Sequence, residues 1–242
     1  MKTEREHRDE IVRVGRTLYE RGFVVAMDGN ISVRLDAERI LVTPTCMCKG
    51  MMTSDDLVIV NHSGQKLQGR RNVSSELGMH LLIYGMRPDV HSVVHAHPPT
   101  ATGFAAAGIA LDQALVSEVV LTLGKVPLAK YGTPGTAELA ESLRPLVRDH
   151  CAILMANHGV VAYGAGLEHA FMCMETVEHF AKIALVARTL GSPQILAQDD
   201  VRKLQAIRET MNAMAPHNGH PPRIEPVGTA SENDPERVPV NE

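Results

Sequence analysis

The chain has no tryptophan, and its 242 residues include only four tyrosines and four phenylalanines. A surface that stacks nucleic-acid bases has little to be built from. Basic charge is not in excess either. The 24 Lys and Arg stand against 28 Asp and Glu, a formal net charge of −4, so the footprint of a phosphate-backbone binder is missing. No stretch approaches the roughly 18 apolar residues of a membrane-spanning helix. The opening MKTEREHRDE lacks the apolar core of a secretory signal. Four cysteines, Cys46, Cys48, Cys151 and Cys173, form no C-x-x-C pair and read as buried or incidental thiols of a reducing compartment. The expectation is a cytoplasmic protein with neither nucleic acid nor membrane as partner. The G-x-x-x-x-G-K-[ST], G-x-G-x-x-G and G-x-S-x-G motifs are also absent, which removes support for nucleotide hydrolysis, dinucleotide redox chemistry and serine-hydrolase chemistry.

What is there is an ordinary globular composition, 44% hydrophobic and 21% charged, close to the average for folded domains. Residues 1–214 carry apolar periodicity and read as one domain. From Ala215 to Glu242 the chain is rich in Pro, Gly and polar residues and buries too little to fold alone. On composition alone this Pro-rich tail reads as a floppy segment with no role.

Periodicity places the elements. Ile11, Val14 and Leu18 have helical spacing over 3–21, with Gly22 as a stop. Residues 31–43 alternate like a hairpin, and Leu57–Val60 with Gln65–Gln68 flank a second turn. Ser74-Ser75-Glu76 precedes the helical set Leu77, Leu81 and Tyr84, which predicts serine N-caps and a carboxylate in the first turn. Val90–His97 reads as a strand, 100–107 as a helix, 111–130 as short strands and 136–148 as a helix. Cys151–Met155 and Val160–Tyr163 read as strands broken by Asn157-His158-Gly159, and helices fit 167–190 and 198–214.

Twelve histidines are many for this chain. Strand alternation puts His91, His95 and His97 on one face, and two imidazoles at i and i+2 can chelate one cation. Exposed, satisfied polar residues would give the same pattern. His158 follows a wholly apolar strand, beside a glycine that lets backbone approach closely. Three histidines and one carboxylate would make a catalytic metal set with a position left for substrate. Glu76 is the candidate carboxylate, although an acidic residue at a helix start is favourable by the macrodipole alone. Ser74 and Ser75 beside free helix N–H groups could bind phosphate as well as cap. Gly29-Asn30 and Thr43-Pro44-Thr45 are turns or further phosphate donors.

In this order, Gly29-Asn30-Ile31-Ser32, Val42-Thr43-Pro44-Thr45, Ser74-Ser75-Glu76, Val93-Val94-His95-Ala96-His97 and Asn157-His158-Gly159 resemble the class II aldolase/adducin family. The similarity runs from about residue 5 to about 214 and is nearest to sugar-phosphate aldolases of the L-fuculose-phosphate type. The resemblance implies an α/β fold, a three-layer α/β/α sandwich around a mixed, largely antiparallel sheet. It implies a homotetramer with sites at subunit interfaces. For the tail it implies the alternative to a floppy segment, a place near such an interface where ordered, with His217 and His220 as candidate proton carriers. It implies Zn²⁺, or Mn²⁺ or another divalent ion, on His95, His97, His158 and Glu76, with Glu76 also the catalytic acid and base. Substrate phosphate would sit on Gly29, Asn30, Thr45, Ser74 and Ser75. The implied activity is cleavage of a phosphorylated ketose to dihydroxyacetone phosphate and an aldehyde. Pentulose-5-phosphate 4-epimerase, sugar-acid phosphate decarboxylase and a non-catalytic adducin-type module are the alternatives. Two departures stand out: Cys46 where the family often has glycine, and no tyrosine near Ser117-Glu118, where the fuculose-phosphate type has a proton donor.

Overall fold

The computed structural model describes residues 2–214; the expectations for the tail, His217 and His220 lie outside them. Eight strands form one sheet: β1 (Asn30–Arg34), β2 (Ile40–Val42), β3 (Val58–Val60), β4 (Lys66–Gln68), β5 (Ser92–Ala96), β6 (Leu128–Ala129), β7 (Ala152–Met155) and β8 (Gly159–Gly164). Their spatial order is β4-β3-β2-β1-β5-β8-β7-β6. Each neighbouring pair is antiparallel except β6 and β7. The sheet is therefore mixed and largely antiparallel, as expected.

The central strands are apolar on both sides because both are covered. Val94, Ala96, Val160 and Ala162 pack toward α1 (Glu4–Glu20), α3 (Pro99–Ala106), α4 (Ser117–Thr122) and α6 (Leu167–Leu190). Val93, Val161 and Tyr163 face α2 (Leu77–Met86) and α5 (Ala137–Leu143). Period-2 alternation thus divides each strand between two cores, giving three layers. In α6, Ala170, Met174, Val177, Ala181 and Ala184 are buried, and their spacing of three and four makes one apolar stripe. The last helix is α7 (Gln198–Met214). No helix among the described residues is long and apolar enough to cross a membrane.

Helix 1, both hairpins and the two C-terminal helices lie where periodicity put them. Three expectations are corrected. Residues 111–130 hold one short strand, β6, and a bridge that joins Leu111 to Val126, but Ser117–Thr122 is helical. Val119 and Val120 have strand propensity, but Val120 packs with Ala114 and Val201 of α7, and that tertiary contact decides the conformation. The helix expected over 136–148 stops at Leu143, since Pro145 has no N–H to continue it. Finally, α2 begins at Leu77, with Glu76 at its N-cap position rather than in its first turn. Ser74 does not cap it; its Oγ accepts from the Glu76 N–H at 3.2 Å.

The corner between β5 and α3 is held from the far side of the core. Glu178 of α6, 1% exposed, accepts from Thr100 N at 3.1 Å and from Ala101 N at 2.9 Å. A carboxylate at a helix start satisfies N–H groups that have no intrahelical partner. Glu178→Ala should cost about 2–3 kcal/mol, the range for removing a charged acceptor from buried donors. Urea unfolding measures it, and a loss under about 0.5 kcal/mol would mean that water replaces the carboxylate.

Candidate metal centre and anion pocket

Three loops deliver the site to one end of the sheet. Asn30 opens β1 and pairs with His95 of β5, while Ala96 pairs with Val160 and Met155 with Gly159. The ends of β1, β5 and the β7–β8 turn are therefore in register. Asn157 turns the chain with φ +55°, a left-handed conformation that asparagine tolerates better than most residues. Gly159 follows because a Cβ there would lie 2.5 Å from His97 Cδ2 and 2.7 Å from Ala96 O. Gly29 is required for two reasons: its φ is +71°, and a Cβ would lie 2.7 Å from His95 O.

His95, His97 and His158 come together. One ring nitrogen from each lies within 4.8 Å of the others, and the ring centroids are 4.8–5.1 Å apart. His91 does not join them. It precedes β5 and is exposed. Glu76 reaches the cluster, with Oε2 3.3 Å from His95 Nε2 and Oε1 3.1 Å from His158 Nε2.

The tautomers follow from the outer partners. His95 Nδ1 donates to Val160 O at 2.9 Å, which leaves a lone pair on Nε2. His97 Nδ1 faces Asp28 Oδ2 at 3.4 Å, so its Nε2 also carries a lone pair, 3.1 Å from that of His95. His158 Nδ1 is buried without a partner. Lone-pair nitrogens and a carboxylate thus converge with too few hydrogens to share. Nitrogens about 2.0–2.1 Å from a tetrahedral ion would be roughly 3.3 Å apart, close to the 3.1 Å between His95 Nε2 and His97 Nε2. These residues could hold a divalent metal. Burial favours the neutral imidazoles that a metal needs: His95 is pushed down to about 3 and His97 is also lowered, in each case mainly by desolvation. Burial alone would raise Glu76. Hydrogen bonds from His158 and Asn30 outweigh it and hold the carboxyl well below the usual range.

Beside the cluster is a cavity of about 190 Å³ whose walls include Gly29, Asn30, Thr45, Ser74, Ser75, Glu76, His97 and His158. All five expected phosphate residues line it. Lys49 and Asp28 line it too, and sequence reasoning did not single out either. Lys49 is 2% exposed and donates to Met47 O at 2.6 Å and Met27 O at 3.1 Å. Burial lowers its pKa. Cys46 does not point its side chain into a core. It is exposed, with φ +53°, a conformation that a glycine would adopt without strain. Glu118 is exposed in α4 and does not line this cavity.

Residues 9–185 match the Class II Aldolase and Adducin N-terminal domain. The chain belongs to the class II aldolase and adducin family. Within it, the chain is 33% identical over 201 residues to the 5-deoxy-D-ribulose 1-phosphate aldolase of Bacillus thuringiensis serovar kurstaki, covering 82% of this chain and 93% of that protein. It is 34% identical over 210 residues to the 3-oxo-tetronate 4-phosphate decarboxylase of Pectobacterium atrosepticum, covering 84% and 94%. A solved L-fuculose 1-phosphate aldolase superposes with a TM-score of 0.78 at 30% identity, covering 84% of this chain and 95% of that one. Class II aldolases use a divalent metal, and the three-histidine cluster fits one.

Gly159→Ala tests how tightly the cluster is built. The added methyl should displace His97 and weaken Zn²⁺ binding to the metal-free protein on the order of 10–100-fold, read by competition with a chromogenic chelator. Unchanged affinity would show that the ring has room to move.

Proposed function

We propose that this protein catalyses the metal-dependent, reversible aldol cleavage of a phosphorylated ketose, L-fuculose 1-phosphate or a similar sugar, to dihydroxyacetone phosphate and an aldehyde. One observation carries this reading: a single cavity has a nitrogen-rich cluster with a carboxylate at one side and the anion donors Asn30, Thr45, Ser74, Ser75 and Lys49 in its other walls. His95, His97, His158 and Glu76 are the proposed ligands, and three imidazoles favour Zn²⁺ over Mn²⁺. When bound, the cation would stabilise negative charge developing on the ketose oxygens as the carbon–carbon bond breaks.

The protein's own residues do the rest. Asn30, Thr45, Ser74 and Ser75, with the Gly29 backbone, hold the phosphate, so that binding remote from the reacting bond positions it. In cleavage, the proton that leaves the ketose hydroxyl as the aldehyde forms has to reach the carbon left by the broken bond; Glu76 takes it up and delivers it there, and removes it in the reverse direction. Its carboxylate is accessible to the cavity yet largely shielded, 12% exposed, which suits a proton carrier that must exclude bulk water. Retention of all three histidines and Glu76 disfavours a non-catalytic adducin-type role. The assembly proposed from the resemblance is a homotetramer with sites at subunit interfaces, and the compartment is cytoplasmic. Exposed Met172, Leu185, Val186 and Leu190 of α6 supply apolar surface suited to subunit contact.

A second activity, decarboxylation of a phosphorylated 3-oxo sugar acid, is favoured by Lys49. Buried positive charge in the cavity wall suits a substrate with a carboxylate as well as a phosphate, and loss of carbon dioxide leaves the same kind of enediolate charge. A panel of phosphorylated ketoses and 3-oxo acids separates the two, with coupled reduction of dihydroxyacetone phosphate reporting one and carbon dioxide release the other. Activity on neither class would overturn both.

Glu76→Gln should lower turnover on the preferred substrate on the order of 10²–10⁴-fold while metal content stays within about a factor of two of wild type. Near-normal turnover would return Glu76 to a helix-end residue with no chemical role.

A further inference from the structure

A buried polar chain runs along the α2 face of β1, and the proposed chemistry does not use it. Tyr84 OH is 2.8 Å from Ser32 Oγ, which is 2.7 Å from His80 Nδ1. His80 Nε2 is 2.5 Å from Asn30 Oδ1, and Asn30 Nδ2 donates to Glu76 Oε2 at 2.8 Å. Ser32, His80 and Tyr84 are all buried. Three polar side chains in an otherwise apolar layer cost free energy unless each is satisfied.

The direction of every hydrogen in this chain is set from the Glu76 end. An ionised carboxylate only accepts, so the Asn30 NH₂ must face Glu76 and its carbonyl oxygen must face back. That oxygen also only accepts, so His80 carries its proton on Nε2. A neutral imidazole of this tautomer offers a lone pair at Nδ1. Ser32 must therefore donate to it, which leaves the serine oxygen to accept from Tyr84. Burial keeps both outer groups in the form required. It pushes His80 down to about 4, against the opposing charge of Glu76, and it raises Tyr84 well above an ordinary phenol.

We propose that His80, its ring held in place by Ser32, which is in turn hydrogen-bonded to Tyr84, is a positioning residue that locks the Asn30 amide with its NH₂ toward the cavity, where that NH₂ serves Glu76 and an incoming phosphate oxyanion. The lock matters because a free asparagine amide can rotate by half a turn at small steric cost. Rotated, it would present a carbonyl oxygen to a carboxylate and to an incoming phosphate, and both contacts repel. An imidazole fixed as a donor at Nε2 excludes that rotamer. This inference rests on the phosphate-binding role given above to Asn30.

The test uses the Zn²⁺-loaded full-length chain, with inorganic phosphate as the probe. Long-range ¹H–¹⁵N spectra of the wild type should show His80 protonated at Nε2 and bare at Nδ1. A proton on Nδ1 would overturn the proposal without any variant. His80→Phe should weaken phosphate binding, and raise KM for the phosphorylated substrate, on the order of 10–100-fold, with metal content unchanged. His80→Gln keeps an N–H for Asn30 and should recover most of that loss, a rescue that simple repacking would not give. Should His80→Phe fail to fold, Tyr84→Phe and Ser32→Ala remove outer links of the chain and should weaken phosphate binding in the same direction. Wild-type phosphate affinity in a folded His80→Phe protein would sink the inference. The role of Glu76 is judged separately, because Glu76→Gln reports on turnover whereas phosphate affinity reports on the lock. If no variant, Asn30→Ala included, changes phosphate affinity, the assignment of Asn30 to the anion pocket falls instead.

Discussion

The structure depends on a local shortage of hydrogens. Within about 3 Å, His95 Nε2 meets His97 Nε2 and a Glu76 oxygen, and the outer nitrogens of both rings are already committed to Val160 O and Asp28. Groups that only accept repel one another unless a cation lies between them. The fold has to hold them there regardless. His95 and His97 come from the end of β5 and His158 from the β7–β8 turn of a sheet buried on both faces, where close packing leaves side chains little freedom to swing apart. Exposed loops would let such a cluster relax.

Holding the cluster draws on both layers. From the α6 side, Glu178 fixes the start of α3 immediately after the His97 corner. From the α2 side, His80 and Ser32 reach Asn30, and Asn30 reaches Glu76. These supports are buried polar groups, which rigidify their surroundings and specify one geometry when fully satisfied. Lys49 adds the buried ammonium of the cavity wall, with two backbone carbonyls taking two of its hydrogens. Asp28 and Glu76 put carboxylates in the same walls, so the hydroxyl and amide donors, more than net charge, would decide how an anion is held there.

The histidines were legible because period-2 alternation and a strand-breaking Asn157-His158-Gly159 are local signals. The helices over 167–190 and 198–214 were legible for the same reason, an unbroken 3.6-residue pattern. What failed was decided by distant contacts. Val119 and Val120 read as strand until α7 is known to pack on Val120 and the main core on Val119. Glu76 read as first-turn because nothing nearby shows that Ser74 spends its hydroxyl on the Glu76 N–H. His80 carried no signal at all. It sits between Leu77 and Leu81 in an apolar helix pattern, and only the pairing of α2 with β1 brings Ser32 and Asn30 to its two nitrogens. Lys49 was hidden likewise, since its partners Met27 and Met47 come from two separate loops.

The loops that carry the cavity walls also carry the backbone strain. Among the described residues, the non-glycine positions with positive φ are Ala26, Cys46 and Asn157. Each stands within two residues of a cavity-lining residue: Met27 and Asp28, Thr45, and His158. A left-handed conformation costs roughly 1–2 kcal/mol for a residue with a Cβ, less for Asn157. Such conformations persist only where their surroundings over-determine them. Here the surroundings are the register of β1, β5, β7 and β8, which pins both ends of the β7–β8 turn and the chain entering β1. Cys46 is the informative case, because its side chain is exposed and its Sγ lies 3.6 Å from Thr45 Oγ1 rather than in a core. Its backbone is bent so that Thr45 and Lys49 reach the same cavity, and the strain is the consequence of placing a hydroxyl and a buried ammonium on one wall from a short loop.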